Sequence, residues 1–263
     1  MIKLGIISIA TNIYLEYWKE QAVSIDLNSD ESLEITLHIF TDQPEKAEEF
    51  GKYLNNTRVV AHPIEPYGWP EATLYRYKII SDHSSQLPED VLMYLDSDML
   101  VKARISEKDF ASNGHTGLTL VRHPGFQRPT GKGALCLYIA KPKVAISDFY
   151  LRYSMGALGA WETDPRSMAH VPKTKRTYYV CGGTWWGTRD DLLNLARDLA
   201  ARVAADEANG VMARWHDESH LNWWASNHSH QLKDASYCYS SSYLWLRHLP
   251  QIIQAVDKQE STR

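Results

Sequence analysis

The chain is short of cysteine and has no long apolar run, and each shortage excludes a class of protein. Its three cysteines, Cys136, Cys181 and Cys238, are odd in number, far apart and without Cys-x-x-Cys spacing, which argues against a disulfide framework and favours a reducing compartment. No stretch approaches the roughly 20 apolar residues of a membrane span. Residues 1–10 are apolar but lack a cleavage site and are typical of a first strand. We therefore expect a cytoplasmic protein without a transmembrane segment.

Basic residues are slightly outnumbered by acidic ones. The sequence has 28 Lys and Arg against 32 Asp and Glu, a formal net charge of −4, which argues against a nucleic-acid partner. Phenylalanine is rare as well, with five residues against nine Trp and fifteen Tyr. Rings with a polar group pack on sugar faces as well as in cores, so this skew is compatible with a carbohydrate ligand.

In the first hundred residues, apolar runs alternate with helical patterns. Strands are expected over residues 2–9, 33–40, 58–64 and 91–95. This order predicts an α/β fold, a mostly parallel sheet with helices on both faces, whose ligands bind at the carboxyl ends of the strands.

The second half is more mixed. We predict strands over residues 117–123, 135–140 and 231–239, a strand or loop over 178–187, a helix over 190–209 capped by Thr188, and a short helix over 218–227.

An acidic turn, Asp96-Ser97-Asp98, directly follows the fourth predicted strand. Residues i and i+2 at a strand end point the same way, so the two carboxylates can share one cation. Hard oxygen ligands favour magnesium or manganese, whose remaining ligands are commonly water and substrate phosphate. A solvated turn is the alternative for such a short motif.

A second acidic motif lies in the octapeptide Trp215-His216-Asp217-Glu218-Ser219-His220-Leu221-Asn222. The two histidines stand i and i+4 apart, a spacing that suits zinc on a helix, but the His-Glu-x-x-His pattern and a third ligand are missing. Asp217 and Glu218 fit better as carboxylates that face a sugar ring and stabilise or attack a developing oxocarbenium ion. A structural ion pair or a helix cap is the alternative.

The octapeptide resembles the signature of glycosyltransferase family 6, which includes the ABO blood-group transferases and the α-1,3-galactosyltransferases. Other stretches resemble the family in the same order, and together they cover most of residues 2–245. They are Phe40-Thr41-Asp42-Gln43-Pro44, Ile80-Ser81-Asp82, Leu95-Asp96-Ser97-Asp98-Met99, His123-Pro124-Gly125-Phe126, the run from Trp161-Glu162 to Val171-Pro172, and Ala208-Asn209-Gly210. The absence of an anchor is similar to that of bacterial- or phage-type members.

The resemblance implies a GT-A fold, a Rossmann-like sheet joined to an acceptor-binding half. The family transfers galactose or N-acetylgalactosamine from a UDP-sugar to O3 of a terminal β-galactose, with retention of configuration. The implied partners are therefore a UDP-sugar donor and a galactose-terminated oligosaccharide acceptor, with manganese, or else magnesium, as cofactor. We predict one domain over residues 1–263, with a nucleotide-binding half (1–100), an acceptor-binding and catalytic half (101–250) and a polar C-terminal tail (251–263).

The resemblance also implies roles for individual residues. The donor would contact Ile9, Ala10, Tyr14, Arg76, Asp96, Ser97, Asp98, Gly182, Gly183, Asp217 and Lys258. The acceptor would contact His123, Trp215, His216 and Glu218. Asp96 and Asp98 would hold the metal, while Glu218 and Asp217 would be catalytic, with Glu218 as the candidate nucleophile.

Two features differ from the family pattern. Both metal-binding Asp residues are present, whereas many anchorless members replace them, and the segment between Phe126 and Trp161 is longer than usual. The resemblance implies that the segment Cys181-Gly182-Gly183 lies against C2 of the donor sugar. Gly183 has no side chain to exclude an N-acetyl group there, which favours UDP-N-acetylgalactosamine over UDP-galactose. A GT-A enzyme for other sugars and a non-catalytic sugar-binding protein are the alternative functions.

Overall fold

The computed structural model describes residues 1–110 and 117–256, which form a layered arrangement of helices on a seven-stranded sheet. The strands are β1 (Ile2–Ile9), β2 (Leu33–Thr41), β3 (Thr57–Pro63), β4 (Val91–Leu95), β5 (Met99–Val101), β6 (Leu118–Arg122), β7 (Val180–Thr188), β8 (Gln231–Lys233) and β9 (Ile253–Ala255). The α-helices are α1 (Tyr14–Asn28), α2 (Pro44–Gly51), α3 (Glu71–Leu74), α4 (Arg76–Asp82), α5 (Glu107–Phe110), α6 (Lys132–Ala140), α7 (Pro142–Met155), α8 (Arg189–Ala208) and α9 (His216–Asn227).

The sheet has the strand order β3-β2-β1-β4-β7-β6-β8, while β5 and β9 pair in a separate two-stranded sheet. In the large sheet β7 alone runs antiparallel to its neighbours β4 and β6. The other adjacent pairs, β3–β2, β2–β1, β1–β4 and β6–β8, are parallel. This mostly parallel sheet with helices confirms the predicted α/β, GT-A-like fold class.

Helices cover both faces of the sheet because successive side chains of a buried strand point to opposite faces. On β1, Ile6 packs in the cluster that contains Trp18 of α1. Its neighbour Ile7 packs in the other cluster, with Tyr77 of α4 and Leu199 of α8. The continuous apolar character of β1 in the sequence follows from this two-sided burial.

The predicted cap of the long helix is confirmed. The Thr188 hydroxyl accepts a hydrogen bond from the backbone N–H of Asp191 at the start of α8, and it donates to the Asp191 carboxylate at 2.6 Å. Such a contact satisfies one of the unpaired N–H groups of a helix start.

Three predictions of the second half were wrong. Residues 135–140 belong to α6 and not to a strand, because a short apolar run does not by itself distinguish a strand from a helix. The predicted strand 231–239 ends at Lys233, and residues Ala235–Cys238 form a 3₁₀ turn whose start is capped by the Asp234 side chain. The segment predicted as a tail contains β9, where Ile253 is buried against the core.

No helix in the part of the chain that the structure describes is both long and apolar enough to cross a membrane.

Candidate functional site

Two adjoining pockets open at the carboxyl ends of β1 and β4. The first, here called the carboxylate pocket, has a volume of about 310 Å³ and is lined by Trp69, Thr73, Arg76, Asp96, His123, Gly182, Gly183, Trp215, His216, Asp217 and Glu218. The second, the strand-end pocket, has a volume of about 270 Å³ and is lined by Ile9, Thr11, Asn12, Ile13, Tyr14, Tyr67, Trp69, Ala72, Thr73, Arg76, Tyr94, Asp96, Ser97 and Asp98. Trp69, Thr73, Arg76 and Asp96 line both, so the pockets form one continuous site.

The antiparallel strand β7 brings the two acidic motifs together. Because β7 pairs with β4, Gly183 lies beside the end of β4, where its carbonyl accepts the Asp96 N–H at 2.9 Å. The middle of α9 is held against β7 by Asn222, whose side chain accepts a hydrogen bond from the Val180 N–H (2.8 Å) and donates one to the Val180 carbonyl (2.9 Å). Residues more than 100 positions apart in the sequence therefore face each other.

Arg76 is the single guanidinium at the centre of the site, and its side chain is almost fully buried. Its Nη1 lies 3.2 Å from Asp96 Oδ1, and its Nε lies 3.2 Å from Asp217 Oδ2. It also donates to the Gly182 carbonyl at 2.9 Å, and it stacks over the Tyr94 ring at 4.7 Å. Arg76 thus connects the end of β4, strand β7 and helix α9 through short contacts.

Burial is the main influence on the pKa values of the two carboxylates in the first turn of α9. It raises the pKa of Asp217 from 3.8 to about 7, although Arg76 opposes the shift; nearby Asp96 and Glu218 add to it. Burial also raises the pKa of Glu218 from 4.5 to about 7, despite the N–H of Gly182 that donates to its Oε2 at 2.8 Å. Both pKa values lie near neutrality, which is typical of groups that act on a substrate.

The glycines of β7 leave room for these carboxylates. A Cβ at Gly182 would lie 3.1 Å from Asp217 Oδ2, and a Cβ at Gly183 would lie 2.8 Å from Asp96 Oδ2. Each contact is closer than a side chain tolerates without movement. The Gly-Gly pair therefore lets Asp96 and Asp217 pack closely against β7.

The candidate acceptor residues line the carboxylate pocket and not the strand-end pocket. Burial lowers the pKa of His123 to about 4, so the ring is neutral, and its Nδ1 lies 3.0 Å from the Gly125 N–H. That contact leaves the Nε2 proton as a donor for a ligand hydroxyl. Trp215 is 48% exposed, and His216 packs edge-on against the exposed ring of Trp69.

Asp96 and Asp98 fit an open divalent-cation site. Both line the strand-end pocket and both are partly exposed. The contacts of Asp96 with Tyr94 and Arg76 use Oδ1. No cluster of three or more His, Cys, Asp or Glu side chains suited to a metal occurs among residues 1–110 and 117–256. A two-carboxylate set suits an ion that takes further oxygen ligands from water and substrate phosphates.

The other predicted donor residues are distributed around the strand-end pocket. Ile9, Tyr14 and Ser97 line it, whereas Ala10 is fully buried next to Ile9. The prediction for Lys258 lies outside the described residues.

The zinc interpretation of the histidine pair has no support in the geometry. His216 lines the carboxylate pocket, whereas His220 is buried, and burial lowers its pKa to about 4. The two rings therefore lie in different surroundings and do not form a common metal site.

Several site residues were missed by sequence reasoning. Trp69 and Thr73 line both pockets, the Tyr77 hydroxyl donates to the Asp217 carbonyl at 3.0 Å, and burial raises the pKa of Tyr179 next to Glu218. Asn222 stands in the octapeptide, where its amide side chain was the available signal. Nothing in the sequence distinguished the others.

Comparison with known proteins agrees with this geometry. Residues 138–261 match the model of glycosyltransferase family 6. The chain is 23% identical to histo-blood group ABO system transferase 1 of Rattus norvegicus over 200 residues, which cover 74% of this chain and 48% of the relative. It is 22% identical to globoside α-1,3-N-acetylgalactosaminyltransferase 1 of Gallus gallus over 247 residues (93% and 62%). The Homo sapiens protein of that name is 27% identical over 220 residues (81% and 52%).

The chain spans about half to three fifths of the length of these curated relatives. The family model covers the octapeptide and β7, and the relatives extend the similarity over most of the chain. Together with the α/β fold and the paired acidic motifs, these matches show that the chain is similar to glycosyltransferase family 6 and support its being a glycosyltransferase.

Proposed function

We propose that this protein is a retaining α-1,3-glycosyltransferase that moves N-acetylgalactosamine or galactose from a UDP-sugar to O3 of a terminal β-galactoside, with or without a fucose branch. The observation that carries the proposal is the continuity of the two pockets through Arg76 and Asp96. A nucleotide in the strand-end pocket would place its diphosphate at this junction and its sugar against Asp217 and Glu218. The chicken and human relatives are named as α-1,3-N-acetylgalactosaminyltransferases, which supports the same chemistry.

In the reaction the bond between C1 of the sugar and the β-phosphate oxygen breaks, UDP departs with the electron pair, and C1 bonds to O3 of the acceptor. Ionised Glu218 can attack C1 to give a glycosyl-enzyme. O3 of the acceptor then attacks C1 from the face that UDP left, the bond between C1 and Glu218 breaks, and the acceptor proton passes to the β-phosphate of UDP. In the alternative route, Glu218 stabilises the positive charge at C1 while the leaving phosphate takes the acceptor proton on the same face. In both routes Asp217, fixed by Arg76, orients the donor sugar.

Manganese, or else magnesium, would be held by Asp96 and Asp98, and when bound it would neutralise the leaving diphosphate. We expect EDTA to abolish most donor turnover and added manganese to restore it. Asp98→Asn should weaken manganese binding, so that UDP release requires a higher manganese concentration than in the wild type. Activity that neither EDTA nor Asp98→Asn changes would contradict the metal assignment.

The donor is proposed to be UDP-N-acetylgalactosamine in preference to UDP-galactose. Gly183 lines the carboxylate pocket and has no side chain that would exclude an N-acetyl group. One small group in a pocket changes selectivity by about 1 kcal/mol, so this is a preference and not an exclusion.

The primary test is UDP release with each donor in the presence of manganese and absence of acceptor, followed by an array of fucosylated and unfucosylated galactosides. A transferase should release UDP slowly from one donor and faster when a matching galactoside is added. Donor binding without any UDP release would favour a non-catalytic sugar-binding protein. Turnover with other donors or acceptors only would favour the alternative GT-A specificity.

A further inference from the structure

The segment between Phe126 and Trp161 contains a pair of helices with little apolar packing against the rest of the protein. We call α6 and α7, residues 132–155, the α6–α7 hairpin. Asp148 is its one buried side chain. It accepts two hydrogen bonds from Arg128 (2.7 and 2.9 Å) and one from the Tyr138 hydroxyl (3.0 Å). The hairpin is therefore anchored by a polar contact and not by a hydrophobic core.

Its apolar side chains are exposed instead. The large exposed ones are Leu135 and Ile139 on α6 and Ile146, Phe149, Tyr150 and Tyr153 on α7. On α7 the spacing i, i+3, i+4, i+7 places all four on one stripe, and a rotation of about 100° per residue puts Asp148 on the opposite side. Phe149 is 74% and Tyr153 is 80% exposed. Clustered apolar exposure of this kind marks an interaction surface, whereas single exposed side chains do not.

The charge of the hairpin is opposite to that of the whole chain. It contains Lys132, Lys141, Lys143 and Arg152 against the single carboxylate Asp148, a net charge of +3. Since the full sequence carries −4, the remainder carries −7. A surface that combines apolar side chains with this positive charge complements an anionic partner, and two copies of it would repel each other.

We propose that the α6–α7 hairpin docks on the surface of a bilayer that contains anionic lipids. The apolar and aromatic side chains enter the interfacial region, where tyrosine is favoured, and the lysines contact anionic headgroups. The hairpin begins a few residues after His123 and Phe126, whose rings lie 5.0 Å apart at the acceptor side of the carboxylate pocket. If the proposed function holds, docking presents that pocket to glycans carried at the membrane.

The test is co-sedimentation of the full chain with vesicles of phosphatidylcholine alone or of phosphatidylcholine mixed with phosphatidylglycerol. Wild-type protein should bind the mixed vesicles at least ~10-fold more strongly, since each lysine near an anionic surface adds to the attraction. The double variant Phe149→Ser/Tyr153→Ser should lose at least ~10-fold in binding, because two aromatic rings no longer enter the interface. Lys141→Glu/Lys143→Glu should reduce the preference for phosphatidylglycerol and its sensitivity to salt.

The matched control is Val23→Ser/Leu27→Ser, which removes two exposed apolar side chains from α1. It should bind vesicles like the wild type, and circular dichroism should show all variants folded. Vesicle binding needs neither donor nor acceptor, so its result is independent of the proposed reaction. The proposal is overturned if wild type does not bind the mixed vesicles, if the charge and aromatic variants bind like wild type, or if light scattering shows a dimer that Phe149→Ser/Tyr153→Ser abolishes.

Discussion

Two polar networks in this protein each contain a glutamate, and they differ in their chemistry. In the first, a chain runs from Glu89 through His38 and His62 to Gln86, with contacts of 2.9, 3.0 and 2.8 Å. The second is the carboxylate pocket, where Asp96, Asp217 and Glu218 surround the single guanidinium of Arg76.

The pKa values separate the two networks. Burial alone would raise the pKa of Glu89, but the hydrogen bond and charge of His38 outweigh it, and the pKa is lowered overall. At Glu218 burial outweighs the hydrogen bond from Gly182, and the pKa rises to about 7. A network whose carboxylate is matched by partners stabilises the fold. A network that has more carboxylates than cations and opens to a pocket leaves carboxylates available to interact with a ligand.

Removal of the central cation should give the largest difference between the networks. Arg76→Met leaves Asp217 and Asp96 without their guanidinium and should destabilise the fold by roughly 3–5 kcal/mol. Arg58 lies 3.8 Å from Glu89 but is 68% exposed, so Arg58→Met should change the free energy of unfolding by less than about 0.5 kcal/mol. Urea denaturation of both variants measures these changes. Equal decreases in the free energy of unfolding would show that Arg76 contributes no more to stability than Arg58.

Next in size is the effect of the carboxylates on turnover. Glu218→Gln should retain donor binding and lose at least ~100-fold in kcat, because the charge acts mainly in the transition state. Glu89→Gln removes a buried carboxylate of the other network and should leave kcat of the folded enzyme unchanged. Near-wild-type turnover of Glu218→Gln would make Glu218 a structural residue.

The two networks should also give opposite dependence of stability on pH, measured as Tm without metal or donor. Glu218 binds its proton more tightly in the folded protein, so the wild type loses stability as pH rises from about 4.5 to about 7. Glu218→Gln removes this loss. The Tm of the variant minus that of the wild type should therefore increase as pH rises over that range. Glu89 has a lowered pKa, so its contribution is present above pH ~4.5 and is lost as pH falls through the folded pKa. The Tm deficit of Glu89→Gln should therefore shrink in acid. Parallel Tm curves for both variants would refute the assignment.

The smallest difference concerns the glycines beside each network. A Cβ at Gly183 would lie 2.8 Å from Asp96, and one at Gly5 would lie 2.9 Å from Glu89. Gly183→Ala should reduce the preference for UDP-N-acetylgalactosamine by about 1 kcal/mol in competition between the two donors at equal concentration. Gly5→Ala should lower Tm and leave donor choice unchanged. A clear preference for UDP-galactose that Gly183→Ala does not alter would refute the role of this segment.

Local patterns predicted much of the first half. The bounds of β1 and β4 agree with the sequence-based prediction, since apolar runs of strand length mark strands buried on both faces. Residues 135–140 were wrongly assigned as a strand, because a short apolar run has no periodicity that separates strand from exposed helix. The late strand was shortened by the Asp234 turn, whose capping contact depends on local backbone geometry.

The sequence by itself determined the chemical groups of the site, their order along the chain and, through the octapeptide and its collinear stretches, the similarity to glycosyltransferase family 6. Only the tertiary structure decided how those groups meet. The antiparallel insertion of β7 beside β4 puts Gly183 against Asp96, and the side chain of Asn222 holds α9 so that Asp217 reaches Arg76. The raised pKa values of Asp217 and Glu218 follow from burial by distant residues, a property that no local pattern encodes.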